Sequence, residues 1–203
     1  MVTVVIPFAG VEGKTRLHAS RRARRELSLA MLGDVLAAAL ALSEEVRVVT
    51  ADPGGAELAR EAGATLVDDP GRGQGPAVEE ALDGLAPGAI VIVNADVPCV
   101  LPADLRGLLA ATPAGGIALV EALDGTTNAL SISAPEIFAP LYGPDSAARF
   151  RVRAQTLGLE AVSTALPNLI DDVDTIDDLR RLHLRLGPRS QACLAGLPAE
   201  ALS

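Results

Sequence analysis

Tryptophan is absent from this 203-residue chain, and all aromatics together make up only 2 % of it. A core of that composition cannot be organised around large rings. Ala, Val, Leu and Ile packed between layers must fill it, and at 49 % hydrophobic residues they are numerous enough. Cysteine is nearly missing too: Cys99 and Cys193 lie far apart in sequence, which predicts no structural disulfide and a reducing cytoplasmic setting. The two histidines, His18 and His183, are isolated, so neither a catalytic triad nor a histidine metal spacing can be drawn through them. No apolar run approaches the ~18 residues of a spanning helix, and MVTVVIP at the N-terminus has neither a basic nor a long apolar signal region. An excess of positive charge is also lacking. The formal net charge of −9 excludes a nucleic-acid groove or an anionic membrane as the main partner, while a small anion held by local cations stays allowed.

What the chain does have is alternation. Short Val/Ile-rich runs at 2–8, 46–50, 65–67, 89–94 and 116–120 are separated by stretches of helical composition at 21–42, 54–62, 76–85 and 103–111. Nearly continuous apolar strands of this kind are covered on both faces, which predicts an α/β fold with a mostly parallel sheet flanked by helices. Its ligand edge would be formed by the strand C-termini. Beyond Val120 the pattern changes. Residues 127–133, 159–165 and 169–173 read as further strands and suggest a small additional β layer, with helices at 147–158 and 175–186. One domain over residues 1–187 followed by a loosely ordered C-terminal tail, 188–203, is the expected organisation.

Several loops at the expected ligand edge carry chemistry. Tyr142-Gly143-Pro144-Asp145-Ser146-Ala147-Ala148-Arg149 places a tight turn, a hydroxyl and a guanidinium at a helix start, where unpaired amides and the helix dipole attract phosphate. The same tetrapeptide serves equally as a plain turn and cap. The first strand empties into Gly10-Val11-Glu12-Gly13-Lys14-Thr15-Arg16-Leu17, whose glycines and cations suit a triphosphate, although the spacing is not that of a Walker A loop and a solvated turn explains it as well. Asp96 follows a buried strand, and Asp171-Asp172-Val173-Asp174 ends another short apolar run. Two carboxylates arriving from two strand ends would hold Mg²⁺ against a phosphate. Gly71, Gly73 and Gln74 lie in a Gly/Pro turn that could line a base or ribose, or simply connect two elements. Arg21, Arg22, Arg24 and Arg25 form a cluster whose inward members could reach the same triphosphate.

Taken in order, Lys14-Thr15-Arg16-Leu17, Ala30-Met31-Leu32-Gly33-Asp34-Val35, Asp69-Pro70-Gly71, Ala95-Asp96-Val97-Pro98, Thr126-Thr127-Asn128-Ala129-Leu130, Gly143-Pro144-Asp145-Ser146 and Asp172-Val173-Asp174-Thr175 resemble the guanylyltransferase family of deazaflavin coenzyme F-420 biosynthesis, the 2-phospho-L-lactate or phosphoenolpyruvate guanylyltransferases. The resemblance runs over residues 2–186. It implies a glycosyltransferase-A-like nucleotidyltransferase fold, and a reaction of GTP with a small phosphorylated three-carbon acid that releases pyrophosphate. It further implies Thr127, Gly143, Ser146 and Arg149 around the acid; Lys14, Arg16 and Asp96 as the catalytic groups; Gly10, Gly13, Arg24, Gly71 and Gly73 around the nucleotide; and Mg²⁺ on Asp96, Asp172 and Asp174. Hand-over of the product to a downstream deazaflavin-accepting transferase would follow. The chain departs from the family at Ala9, where a Lys is usual, and at Gln74-Gly75, where a Leu-Asn pair is usual. A related cytidylyl or molybdopterin nucleotidyltransferase, and a nucleotide-binding module without catalysis, are the competing readings.

Overall fold

A computed structural model describes residues 2–10, 17 and 19–198. Strands β1 (Val2–Pro7), β2 (Glu45–Val49), β3 (Thr65–Val67) and β4 (Ala89–Val93) alternate with helices α1 (Arg21–Leu40), α2 (Pro53–Glu61), α3 (Gln74–Leu82) and α4 (Pro102–Ala110). Then follow β5 (Ile117–Glu121), β6 (Thr127–Ile132), a 3-10 turn at Pro135–Ile137, α5 (Ser146–Thr156), β7 (Ala161–Ser163), α6 (Pro167–Ile170), α7 (Ile176–Leu182) and α8 (Pro188–Gly196).

All seven strands form one sheet in the order β3-β2-β1-β4-β6-β5-β7. The later strands therefore extend the first sheet and do not make a second layer. The first four pair in parallel, as do β5 and β7, whereas β6 runs antiparallel to both β4 and β5. This reversal matters for the site, because it brings the N-terminal end of β6 to the edge where β1 and β4 end.

Side chains alternate across a strand, so each central strand feeds two cores. Val4, Ile6, Val91 and Val93 pack with Leu32, Val35, Leu105 and Leu108 of α1 and α4. Val5, Ile90 and Ile92 pack on the other face with Ala77 and Val78 of α3 and with Ala147 and Phe150 of α5. Three of the four aromatics gather there: Tyr142 meets Phe150 edge-on at 5.3 Å between ring centres, and Phe138 lies 6.3 Å from Tyr142. The scarce rings thus stiffen the turn leading into α5.

Two expectations about the C-terminal region need correction. The apolar run 169–173 is not a strand. Pro167, with its fixed φ and missing N–H, starts the short helix α6, and Asp171–Asp174 then run without a strand partner. Nor is the segment 188–196 loose: α8 packs on α1, and its cap comes from 155 residues away, where buried Asp34 accepts the Arg189 amide at 3.0 Å and the Ser190 amide at 2.8 Å. Gly33 lies against Arg189, and a Cβ there would stand 2.6 Å from its Cδ, so the Gly33-Asp34 pair is the socket for α8. Leu27, Met31, Val173, Ile176, Leu179, Leu182 and Leu186 form a third core between α1, α7 and α8. Cys99 is buried in it, which pushes its thiol up to about 11 and leaves it unreactive at neutral pH.

Candidate active site

The site is built from the chain just beyond β4. After Val93 the backbone keeps one more sheet bond, Asn94 N–H to Asn128 O at 2.9 Å, and then turns at Ala95-Asp96. The Asp96 carbonyl accepts the Val173 amide at 2.9 Å, which draws the 171–174 segment alongside. Val173 is wholly buried in the third core. In extended chain, side chains two apart share a side and the one between points away. Anchoring Val173 inward therefore turns Asp172 and Asp174 together toward Asp96. One carboxylate oxygen from each of the three lies within 4.8 Å of the others, and all three residues are half-buried. The second contribution comes from a linker tied down by a hydrogen bond and a buried valine, not from a strand end.

Just before this cluster, Asp171 does something different. Its carboxylate receives Arg181 at 2.6 Å and Arg185 at 2.8 Å, and Arg185 also donates to the Pro167 carbonyl at 2.7 Å. Burial works to raise the Asp171 pKa, but these two guanidiniums outweigh it and hold the carboxyl below its ordinary value. Asp178 is likewise held low against its burial by the Thr175 hydroxyl and amide, by Arg181 and by the Asp174 amide. It closes a capping box with Thr175 at the start of α7.

Beside the acidic cluster lies a cavity of about 240 Å³ that reaches Asp96 at one end. Phe8, Gly10, Met31, Gln74 and Asn94 are among its walls. It is smaller than the roughly 300–1,000 Å³ of pockets that enclose whole drug-sized ligands. An open cavity that shares Ala9 and Asp69 with it is lined by Arg21, Arg22 and Arg25 from the start of α1, together with Asp52. Gly10 must be glycine: its φ is +68°, and a Cβ would stand 2.8 Å from the Asp52 carboxylate that caps α2.

On the other side of β4, the reversed strand β6 begins with Thr127. Its hydroxyl accepts that of Ser146, the first residue of α5, at 3.0 Å, and both residues are buried. Ser146 reaches this position because Asp145 takes a left-handed conformation (φ 54°), the one non-glycine among the described residues to do so, and Gly143 precedes it at φ 111°. Neither Asp145 nor Ser146 caps α5 through its side chain. Strain of this kind, stored in a turn and overruled by packing, is common where a ligand is gripped.

A family model described as "Guanylyl transferase CofC like" matches residues 2–188. The chain belongs to this family. It is 37 % identical over 178 residues to a phosphoenolpyruvate guanylyltransferase of Geodermatophilus obscurus, covering 86 % of this chain and 81 % of the relative. It is 39 % identical over 183 residues to one of Roseiflexus castenholzii, covering 85 % of each. A solved structure of a nucleotidyl transferase from Methanothermobacter superposes with a TM-score of 0.68 at 17 % identity, over 90 % of this chain and 95 % of that one, which shows the shared fold. The protein is thus a nucleotidyltransferase of the guanylyl-transferring kind.

Within this member of the family, Asp96, Asp172 and Asp174 are brought together, as are Thr127 and Ser146. Gly10 and Gly73 line the cavity beside Asp96, whereas Gly71 is exposed at φ +70°, its amide held by Asp69 at 2.8 Å. Arg149 is exposed and donates to the Tyr142 carbonyl at 3.0 Å, closing the Gly143 turn. Arg24 is half-buried, and its Nε has no hydrogen-bond partner among the described residues. Gly13, Lys14 and Arg16 lie outside the described residues.

Sequence reading missed Asn94 and Asn128. The Asn94 amide donates to the Thr127 carbonyl at 3.3 Å, and the Asn128 amide donates to the Ile170 carbonyl at 3.1 Å. These bonds tie the acidic linker to the strand that carries Thr127. Two asparagines at the edge-facing ends of apolar strands were the available signal, since polar amides buried in such places need partners.

Proposed function

We propose that this protein transfers the guanylyl group of GTP to the phosphate of phosphoenolpyruvate, releasing pyrophosphate. The observation that carries this reading is the convergence of Asp96, Asp172 and Asp174 at the cavity end, one strand away from the Thr127–Ser146 pair. Relatives named for this substrate at 37–39 % identity over most of the chain support the choice of acid.

In the reaction an acceptor phosphate oxygen attacks the α-phosphorus of GTP. A new P–O bond forms, the bond to the β-phosphate bridge breaks, and its electron pair leaves with pyrophosphate. The acceptor phosphate is already an anion at neutral pH, so no general base is required, which accords with the exposed His183 resting its Nδ1 on the Arg180 carbonyl. Three half-buried carboxylates with no nitrogen or sulfur donor among them fit a hard divalent cation such as Mg²⁺. Bound there, Mg²⁺ would offset phosphate charge. Val173 and its bond to the Asp96 carbonyl hold the carboxylates in place beforehand, the form of preorganisation that electrostatic catalysis depends on. Lys14 and Arg16 would face the triphosphate, with Arg21, Arg22 and Arg25 adding positive charge at the open mouth. The turn at Gly143–Ser146, with Thr127, would hold the acid. The product would pass to a deazaflavin-accepting transferase of coenzyme F-420 synthesis in the cytoplasm.

The test is pyrophosphate release from GTP and Mg²⁺ with phosphoenolpyruvate, 2-phospho-L-lactate and 3-phospho-D-glycerate in turn, with the downstream transferase present to trap a labile product. Turnover is expected with phosphoenolpyruvate. GTP binding without pyrophosphate release for any acid, or turnover with CTP in place of GTP, overturns the proposal.

A further inference from the structure

The geometry points to Gln74 as the residue that reads the nucleotide base, through its side-chain oxygen. This rests on the guanylyl reading above and names the group that makes the choice.

The orientation of Gln74 follows from a chain of amides that ends on a backbone carbonyl. The Thr127 carbonyl can only accept, so the Asn94 group facing it at 3.3 Å is its amide nitrogen. The Asn94 oxygen must then face Gln74, and the contact between them, 2.6 Å, is Gln74 Nε2–H to Asn94 Oδ1. Asn128 is fixed in the same sense: its nitrogen donates to the Ile170 carbonyl at 3.1 Å and its oxygen stands 3.5 Å from the Asn94 nitrogen. With one Nε2 hydrogen given to Asn94 the amide orientation is set, Gln74 Oε1 is left as an acceptor on a side chain that lines the cavity, and no hydrogen bond to it is found among the described residues.

Two neighbouring facts support a ligand at this wall. Ser28 of α1 lines the same cavity at 2 % exposure, and its hydroxyl has no partner among the described residues. A buried hydroxyl left in this way costs stability unless a ligand or water satisfies it. On α3, Gly75 abuts Pro140, where a Cβ would stand 2.6 Å from the proline Cβ. No side chain fits at 75, and this close approach sets the helix start from which Gln74 reaches Asn94.

With the acidic cluster taking the phosphates at the Asp96 end, the base occupies the remainder of the cavity, between Met31 and Ala77 from the two helical layers. Guanine carries a 2-amino group that hypoxanthine, the base of ITP, lacks, and that group donates to Gln74 Oε1.

The experiment compares GTP with ITP by calorimetric titration in Mg²⁺, and by pyrophosphate release with phosphoenolpyruvate, for the wild type, Gln74→Leu and Gln74→Met. The wild type is expected to favour GTP roughly tenfold, as for one hydrogen bond made or lost in a desolvated site. Both variants should bind GTP and ITP alike, with the loss appearing in KM for GTP and not in KM for phosphoenolpyruvate. A folded variant, judged by a single cooperative unfolding transition above the assay temperature, that keeps the wild-type GTP:ITP ratio overturns the assignment, as does a wild type indifferent to the 2-amino group. Discrimination in binding that Gln74→Leu abolishes, without pyrophosphate release for any acid, would sustain the role of Gln74 while removing the proposed reaction.

Discussion

Asp171 and Asp172 are adjacent in sequence and do opposite things. Asp171 sits between Arg181 and Arg185, which fasten α6 to α7 through it, and Asp178 and Asp34 hold helix ends in the same spirit. Asp172 turns the other way, to Asp96 and Asp174, where carboxylates converge on carboxylates. An acid that meets cations or backbone amides steadies the fold. Three carboxylates gathered within reach of one point form the donor set that a hard cation would need. Val173, the pivot between the two regions, decides which acid faces which way.

The sharpest way to break the comparison is to neutralise each member in turn. Asp172→Asn should lower kcat about 10²–10³-fold while leaving Tm nearly unchanged, as for loss of one preorganised electrostatic contact. Asp171→Asn should do the reverse, keeping kcat within a few-fold. Comparable losses of activity in both variants, measured under saturating Mg²⁺, would erase the distinction.

Val173→Ala attacks the pivot. It should cost about 2 kcal/mol in urea unfolding, because a fully buried valine is truncated. It should also weaken turnover more than its stability cost explains, since Asp172 and Asp174 lose their common anchor. Retained kcat in a destabilised protein would show that the linker is held by the Asp96 carbonyl alone.

Asp34→Ala removes the far-off cap of α8 and leaves two amides without their acceptor, that of Ser190 buried and that of Arg189 partly so, at a cost of about 1–3 kcal/mol read as a fall in Tm. Activity at low temperature should survive it, because Asp34 belongs with Asp171 and not with Asp172.

The smallest effect is in acid. A folded-state pKa held below the ordinary carboxylate value contributes stability that is present above the unfolded value, near 4, and lost as pH falls through the depressed folded value. Wild-type stability should therefore drop as pH is lowered from about 4. Asp171→Asn should show a shallower drop, by less than about 1 kcal/mol, because both arginines are partly exposed. Equal slopes in acid unfolding would mean that the Arg181–Asp171–Arg185 cluster adds nothing measurable.

Periodicity and caps were enough to read β1 to β7, α1 to α5 and α7 from the residues, because an apolar strand or a capped Ala/Leu/Arg helix announces itself within a few positions. The run 169–173 misled for the same reason: a short apolar stretch has no period of its own, and Pro167 settled the matter in favour of a helix turn. α8 was illegible because its cap is supplied by Asp34 on α1.

Local chemistry in the chain thus determined the α/β alternation, the acidic and Gly-rich loops at one sheet edge, and the membership that their order implies. It could not determine the reversal of β6 that sets Thr127 beside Asn94, the turning of Asp172 and Asp174 toward Asp96, or the amide chain that orients Gln74. Each of these depends on a hydrogen bond or a buried side chain joining residues tens of positions apart, and such pairings come into being only once the layers have packed.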